Sequence, residues 1–475
     1  MTAVPIAQLT VEAHSSCRLL ERLRIEAGEA LVVQAIPAPG DRLWSVLIRG
    51  TPLEMRPQDE PEALCSPTPM PREPGWRFED GLGRQAFAAF VCSHYWERRP
   101  YHMELRLVDG AGRALATARI GTRVPHSTLI EKLSATAVLL LRSVLQGSPS
   151  MAAAVGVPLD SSRGIHPLKG AGTYAVGLLR RARSRWRASL LREQWGIGRL
   201  AAKSGAGPPG GVAEAVHWIR RPDDCSYADP FPLPELSDGF LCERIRAHTG
   251  QGELVLIRNG LVRRIDIGES KHCSYPQVFV DEGSVFMMPE SAASGRTMIY
   301  RLRGERADTY ALVAEGRAMA DATLFRSDGH YWIAYCDHAI GLHDNLCLMH
   351  AADLRGPWHE HPGNPVKIDI CSARSGGAPF RIGSELFRPA QNCAADYGAC
   401  ITINRVLQLD ARHYREEPVA TLTPDPRGPF PDGLHTVSFC SDGSMLIDGK
   451  KLIARYDLLI QRLLRAALHS VRKAR

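Results

Sequence analysis

The sequence predicts a mostly β protein whose second half is a five-bladed β-propeller. Residues 194–450 are read as the propeller, behind an α/β region and ahead of a C-terminal helix. Three observations predict this. Short apolar runs alternate with turns from Gln194 onward, and helix-period patterns are nearly absent until Leu452. Five of these runs carry a turn glycine, at Gly239, Gly283, Gly329, Gly383 and Gly443, spaced 44, 46, 54 and 60 residues apart. Runs two and three align without a gap at an offset of 46, matching Val278 with Leu324, Phe279 with Phe325 and Phe286 with Trp332. A unit of this length holding several strands is one propeller blade, and a closed ring leaves few sheet edges exposed. The rival is a β-sandwich, which has no reason to repeat at this length.

Asp or Glu precedes four of the five glycines, as in tight hairpins where glycine supplies a positive φ. The strand-like QWGIGRL (residues 194–200) precedes the first hairpin and is expected to complete the last blade and latch the ring. Upstream, residues 1–150 mix strand-like runs (30–35, 44–48, 102–107) with one helix over 127–145, an α/β pattern. Residues 151–193 read as a basic helical linker, and 451–475 as a basic amphipathic helix. Each basic stretch fits an anionic membrane surface. Packing an apolar stripe on the protein with the arginines outward is the commoner use of such a pattern.

A chain of 475 residues with 44% apolar composition can bury ordinary cores. The net charge of +7 suits anionic ligands without requiring them, and no nucleic-acid motif accompanies it. The start lacks the charged and apolar regions of a signal peptide, and the stretch 135–145 is too short to span a bilayer. Twelve cysteines without a CxxC pair read as reduced thiols. A cytoplasmic protein, peripheral to the inner face of the membrane, is the expected setting. His338, His343, His350, His359 and His361 lack metal-ligand spacing, and no cofactor is expected.

In a propeller the first strand of each blade lines the central channel. Counting back seven to ten residues from each turn glycine selects Asp229, Tyr275, Asp321, Arg374 and His435. Beyond the turns lie Glu243, Glu290, Arg388 and Gln391. Acids, bases and an aromatic on neighbouring blades suit a ligand rich in hydroxyls and phosphate. Taken singly, each is more often a structural ion pair.

Six ordered motifs, YADPF, SYPQVF…MPES, DATLF…DGHYW, ADLRGPWHEHPGNPV, ARSGG…LFRPAQ and GLHT, lie within residues 194–450. Together they resemble the N-terminal domain of plant glucosamine inositolphosphorylceramide transferases. That family in turn resembles five-bladed furanosidase and xylosidase propellers, which use a base Asp, a pKa-tuning Asp and an acid Glu. The resemblance implies Asp229 as the base and Asp321 as the tuning residue. Where the acid would open the fourth blade stands Arg374, a poor acid and a good phosphate ligand. Glu290 could supply the acid instead. A channel Ca²⁺ is in keeping with the wider clan, though no residue pattern shows it. Residues 86–147 faintly resemble a formyltransferase-like segment but lack its catalytic loop, and His94 stands alone.

The expected function is carbohydrate chemistry in assembling a cell-surface glycan or glycolipid, as glycosyl transfer from a phosphate-activated sugar. In that scheme Asp229 is the base, Asp321 orients it, Glu290 is the candidate acid, and Arg374 and Arg388 hold phosphate. Gln391, His435, Tyr275 and Glu243 complete the binding set. The alternatives are an inverting glycoside hydrolase using Asp229 and Glu290, and a non-catalytic sugar-binding module. Expected partners are a sugar or sugar-phosphate, an anionic membrane surface and other glycan-assembly enzymes.

Overall fold

The computed structural model describes residues 191–454, apart from 202–206, 235–238, 247–248 and 270. Before them it describes residues 6–12, 31–36, 47–49, 76–80, 102–108, 113–122 and 126–145. His94, nearly all of the basic stretch 151–193 and the helix expected over 451–475 lie outside the described residues, save strand residues at their inner ends. The chain divides into two compact units, Met1–Pro167 and Leu168–Arg475.

In the first unit one sheet has the order β2-β1-β3-β4-β5-β6. Its strands are β1 (Ile6–Glu12), β2 (Leu31–Ile36), β3 (Leu47–Arg49), β4 (Trp76–Asp80), β5 (His102–Val108) and β6 (Ala114–Gly121). Only β1 and β2 pair in parallel. Helix α1 (His126–Leu145) buries Leu129, Leu133, Ala137, Leu140 and Leu141. This helical spacing forms a single apolar stripe, as its sequence requires.

The second unit is the propeller. Blade 1 comprises β10 (Cys225–Pro232), β11 (Phe240–Arg246), β12 (Gly252–Arg258) and β13 (Leu261–Arg264). Blade 2 comprises β14 (Ser274–Asp281), β15 (Ser284–Glu290), β16 (Arg296–Arg303) and β17 (Arg306–Glu315). Blade 3 comprises β18 (Met319–Ser327), β19 (His330–Asp337), β20 (Asn345–Ala351) and β21 (His359–Glu360), with β22 (Lys367–Ile368) also on β20. Blade 4 comprises β23 (Phe380–Ile382), β24 (Glu385–Asn392), β25 (Cys400–Leu409) and β26 (Tyr414–Pro424), edged in parallel by β8 (Gly211–Ala213). Blade 5 joins β27 (Val437–Phe439) and β28 (Met445–Ala454) to β7 (Leu191–Leu200) and β9 (His217–Trp218).

The expected latch is present. Strand β7 runs antiparallel to β28 from Leu191↔Ala454 to Leu200↔Met445, so the two ends of the propeller share one sheet. The aligned repeats also hold at the ladder level. Phe279 faces Phe286 in blade 2, and Phe325 faces Trp332 in blade 3. Their hairpins turn on Glu282-Gly283 (φ 46°, 71°) and Asp328-Gly329 (φ 49°, 78°), with both central residues left-handed. That geometry matches the right-handed twist of the strands and favours an acidic residue followed by glycine.

The core is not one mass but five joints. Leu241, Leu254 and Leu256 of blade 1 meet Met287, Met298 and Tyr300 of blade 2. Equivalent apolar clusters join blades 2 and 3, 3 and 4, 4 and 5, and 5 and 1. At each joint both faces of the sheets are buried. This explains the near-continuous apolar runs in strands such as ADATLF and YWIAY.

Candidate functional site

Asp229, Tyr275 and Asp321 are spaced 46 residues apart and occupy one structural position in blades 1, 2 and 3. In each blade the register between the first and second strands slips at this point, between Ala228 and Phe231, Ser274 and Gln277, and Ala320 and Thr323. Each residue is left-handed, with φ of 54°, 45° and 46°. A bulge re-aims its side chain and frees its amide from the ladder. Positive φ in a non-glycine residue costs on the order of 1–3 kcal/mol, so three equivalent instances need compensation.

Carboxylates supply that compensation. The amide of Asp229 donates to Asp448 Oδ2 of blade 5 (3.1 Å), and that of Tyr275 to Asp229 Oδ2 of blade 1 (3.3 Å). The amide of Asp321 donates to Glu290 Oε2 of blade 2 (2.9 Å). In each case an acid from the preceding blade caps the freed amide. The same bonds draw the acids together around the axis.

Two charged groupings result. In the first, Asp229 Oδ1 accepts from Thr436 Oγ1 (2.6 Å) and lies 3.8 Å from His435 Nε2. His435 Nδ1 is 2.5 Å from Asp448 Oδ2, and its ring stacks on Trp195 at 4.1 Å. Burial opposes a charge on His435, but Asp448 and Asp229 outweigh it and raise its pKa to about 9. Burial lifts Asp229 to about 6, with His435 pulling down and Asp321 and Asp448 pushing up.

In the second grouping, Asp321 Oδ2 accepts from Arg374 Nε (2.5 Å) and Gln391 Nε2 (2.6 Å). Burial would raise the Asp321 carboxyl, but the Arg374 charge and hydrogen bond hold it below its ordinary value. Glu290 is lifted to about 8 by burial and then by the Asp321 charge, against a smaller pull from Arg374. At neutral pH Glu290 is therefore held neutral beside ionised Asp321, with Asp229 mostly ionised. Glu243, 5% exposed, is pushed well up by burial and by the surrounding acids. Its Oε1 makes no hydrogen bond, although His272 Nε2 lies 3.3 Å away, off the bonding line.

The structure brings Asp229, Asp321, Glu290, Arg374, His435 and Gln391 into this axial network and corrects the roles of three residues. Arg388, 1% exposed, spends its guanidinium on Glu416 (2.8 and 2.6 Å) and on the carbonyls of Ala373 (3.0 Å) and Ser372 (2.6 Å). It is a structural clamp rather than a phosphate ligand. The Tyr275 hydroxyl is used twice: it accepts from the Gly377 amide (2.9 Å) and bonds Thr323 Oγ1 (3.0 Å). Tyr275 therefore joins blades instead of meeting a ligand. Gln391 donates to Asp321 and to the Ser375 carbonyl (2.9 Å), which makes it a positioning residue for Asp321. Arg374 is partly committed, through Nε to Asp321 and through Nη1 to the Leu342 carbonyl (3.0 Å) and His343 (2.8 Å). Among the described residues its Nη2 has no hydrogen-bond partner.

Several members were missed in the sequence. Asp448 follows Gly443 much as Glu243 and Glu290 follow their glycines, so the same count would have found it. Thr436, Trp195, His343 and Tyr397 sit on connecting loops or on the latch, where no repeat marks them. Lys450, fully buried, bonds the Tyr397 carbonyl and lies 3.2 Å from Asp396.

Asp229, His435 and Asp448 present ligand atoms within 4.8 Å of one another. They do not fit calcium, which takes six to eight oxygens. Asp448 is already saturated by His435 and by the amides of Asp229, His435 and Thr436. His435 also carries a proton that a cation would have to displace.

Residues 262–427 match the family described as glucosamine inositolphosphorylceramide transferase 1, N-terminal, which bears out the resemblance carried by the motifs. A relative from Oryza sativa subsp. indica, a glucosamine inositolphosphorylceramide transferase 1, is 30% identical over 47% of this chain and 32% of its own length. The Arabidopsis thaliana protein of the same name is 32% identical over 32% of this chain and 21% of its own. The chain thus spans a third or less of the length of these curated relatives. Among solved structures, an α-L-arabinofuranosidase from Clostridium thermocellum covers 42% of this chain and 74% of its own at 9% identity, with a TM-score of 0.28. An exo-β-1,3-galactanase from Bifidobacterium bifidum covers 46% and 83% at 12% identity, with a TM-score of 0.32.

Proposed function

We propose that the propeller axis is the working site of a carbohydrate-active protein that transfers a glycosyl group from a phosphate-activated sugar. The product would be a cell-surface glycan or glycolipid. One observation carries this reading. A carboxylate tuned to about 6, Asp229, interacts electrostatically with Asp321, which in turn holds Arg374, whose Nη2 has no hydrogen-bond partner among the described residues. Asp229 takes the proton of the acceptor hydroxyl as general base. Arg374 Nη2 holds the anionic part of the donor, and Asp321 orients and partly neutralises that arginine. The two plant relatives are named as transferases, which supports this chemistry. Work on a lipid acceptor would put the protein at the cytoplasmic face of a membrane, beside other glycan-assembly enzymes.

A second reading is favoured by Glu290. It is partly exposed and still protonated at neutral pH, so it supplies the acid missing from the fourth blade. With Asp229 activating water, the pair would perform inverting hydrolysis. Product analysis separates the readings. Purified protein is given either a nucleotide-activated sugar with an acceptor alcohol or a simple aryl glycoside in water. Transfer requires turnover of the first and its loss in Asp229→Asn. Turnover of the glycoside alone, with a bell-shaped pH profile between about 6 and 8, would establish hydrolysis. Sugar binding without turnover, unaltered by Asp229→Asn, would leave a recognition module.

A further inference from the structure

Tyr397 lies on the loop between β24 and β25, where no repeat marks it. Its backbone is held from several sides. The Cys393 amide donates to the Ile370 carbonyl (2.9 Å), the Leu434 amide to the Gly398 carbonyl (2.8 Å), and Lys450 Nζ to the Tyr397 carbonyl. Gly398 is left-handed (φ 57°), and a Cβ there would sit 2.6 Å from that of His435. The loop is thus tethered close against the axial site.

The Tyr397 ring is packed equally closely. It meets His435 edge-on at 5.3 Å, His343 at 5.2 Å and Trp195 at 6.1 Å, and Arg374 Cζ stands 5.4 Å from its centroid. Tyr275, Tyr331, Tyr335 and Tyr414 all spend their hydroxyls on protein partners. The Tyr397 hydroxyl has none among the described residues, and the residue is partly exposed. A rigid ring with an unspent donor, touching a guanidinium that also has an unspent donor, has the form of a ligand contact. Burial raises its pKa against the pull of Arg374, with Asp321 and Asp229 adding to the rise, so the phenol stays a neutral donor.

We infer that Tyr397 is the specificity residue of the axial site: its hydroxyl and Arg374 Nη2 form a two-donor clamp for an anionic group, phosphate or carboxylate, on the bound sugar. This rests on the axis being a sugar site. Neutral sugars gain little from the clamp, because the guanidinium is strengthened only by a charged acceptor.

The test is isothermal titration of the full chain with a hexose, the corresponding hexose 1-phosphate and the corresponding hexuronate. Wild-type protein should bind one of the two anionic sugars at least tenfold more tightly than the hexose, and the preferred one identifies the anion. Tyr397→Phe keeps the ring and should weaken that sugar about tenfold while changing hexose affinity less than twofold. Hexose binding without anionic preference, or equal weakening of all three sugars by Tyr397→Phe, would overturn the clamp and leave the sugar site standing. No binding of any sugar would overturn both. Were Tyr397→Phe to misfold, NMR of both anionic sugars with wild-type protein decides, since unshifted, unbroadened lines at saturating protein for both the hexose 1-phosphate phosphorus and the hexuronate carboxylate carbon overturn the clamp.

Discussion

Glu416→Gln should be the most damaging isosteric change in the propeller, and its damage should fade as the solution is acidified. Glu416 is buried on β26 and receives Arg388 through two nitrogens, Lys367 Nζ (2.8 Å) and the Tyr414 hydroxyl (2.6 Å). Burial would raise its carboxyl, but Arg388 and then Lys367 pull it down from 4.5 to about 2. At 1.36 kcal/mol per unit the shift corresponds to about 3 kcal/mol. A neutral glutamine leaves buried Arg388 and half-buried Lys367 without their counter-charge, a loss of on the order of 3–5 kcal/mol. The folded pKa lies below the unfolded one. The stabilisation is therefore fully present above about 4.5 and is lost as pH falls toward 2, with roughly 2 kcal/mol gone by pH 3. Urea unfolding followed by tryptophan fluorescence at pH 7, 5 and 3 measures this. The gap between wild type and Glu416→Gln should be about 3 kcal/mol or more at pH 7, roughly 1 M in midpoint for a slope near 3 kcal/mol/M, and should narrow to about 1 kcal/mol at pH 3. A gap below 1 kcal/mol at pH 7, or one that does not narrow, refutes the clamp. Because Arg388 also grips the carbonyls of Ser372 and Ala373, just before Arg374, the substitution should weaken sugar binding as well.

His435→Gln should show the opposite pH dependence. The folded pKa of about 9 lies above the unfolded 6.5, so the imidazolium contributes about 3 kcal/mol that is full below pH 6.5 and lost as pH rises through 9. Unfolding midpoints at pH 6 and 9 should therefore differ more between wild type and variant at pH 6. Gly398→Ala should cost about 3 kcal/mol, because its Cβ meets His435 and, at 3.1 Å, Trp195. Gly329→Ala, at φ 78° with open space around it, should cost only about 1 kcal/mol. Equal losses of melting temperature in the two glycine variants would contradict the close approach described at Gly398.

The repeat was legible in the sequence because it is local. A left-handed turn needs glycine at one point of a hairpin, and strands buried on both faces need continuous apolar runs. The spacing of Gly283 and Gly329, and of Asp229, Tyr275 and Asp321, therefore records the blades directly. The candidate site was legible only in part. Counting from the turns found the first-strand residues but could not say which polar atoms are already spent, since that depends on the neighbouring blade. Arg388 and Arg374 look alike in sequence. Glu416 saturates the first, whereas Nη2 of the second has no hydrogen-bond partner among the described residues. Tyr397, Trp195 and Asp448 reach the axis from a loop, the latch and a second strand, so no period marks them as a group. Sequence alone determined the blades, because local backbone geometry dictates residue type. Closure of the ring decided the pairing and protonation of the axial groups, because burial and charge are set by residues as much as two hundred positions away.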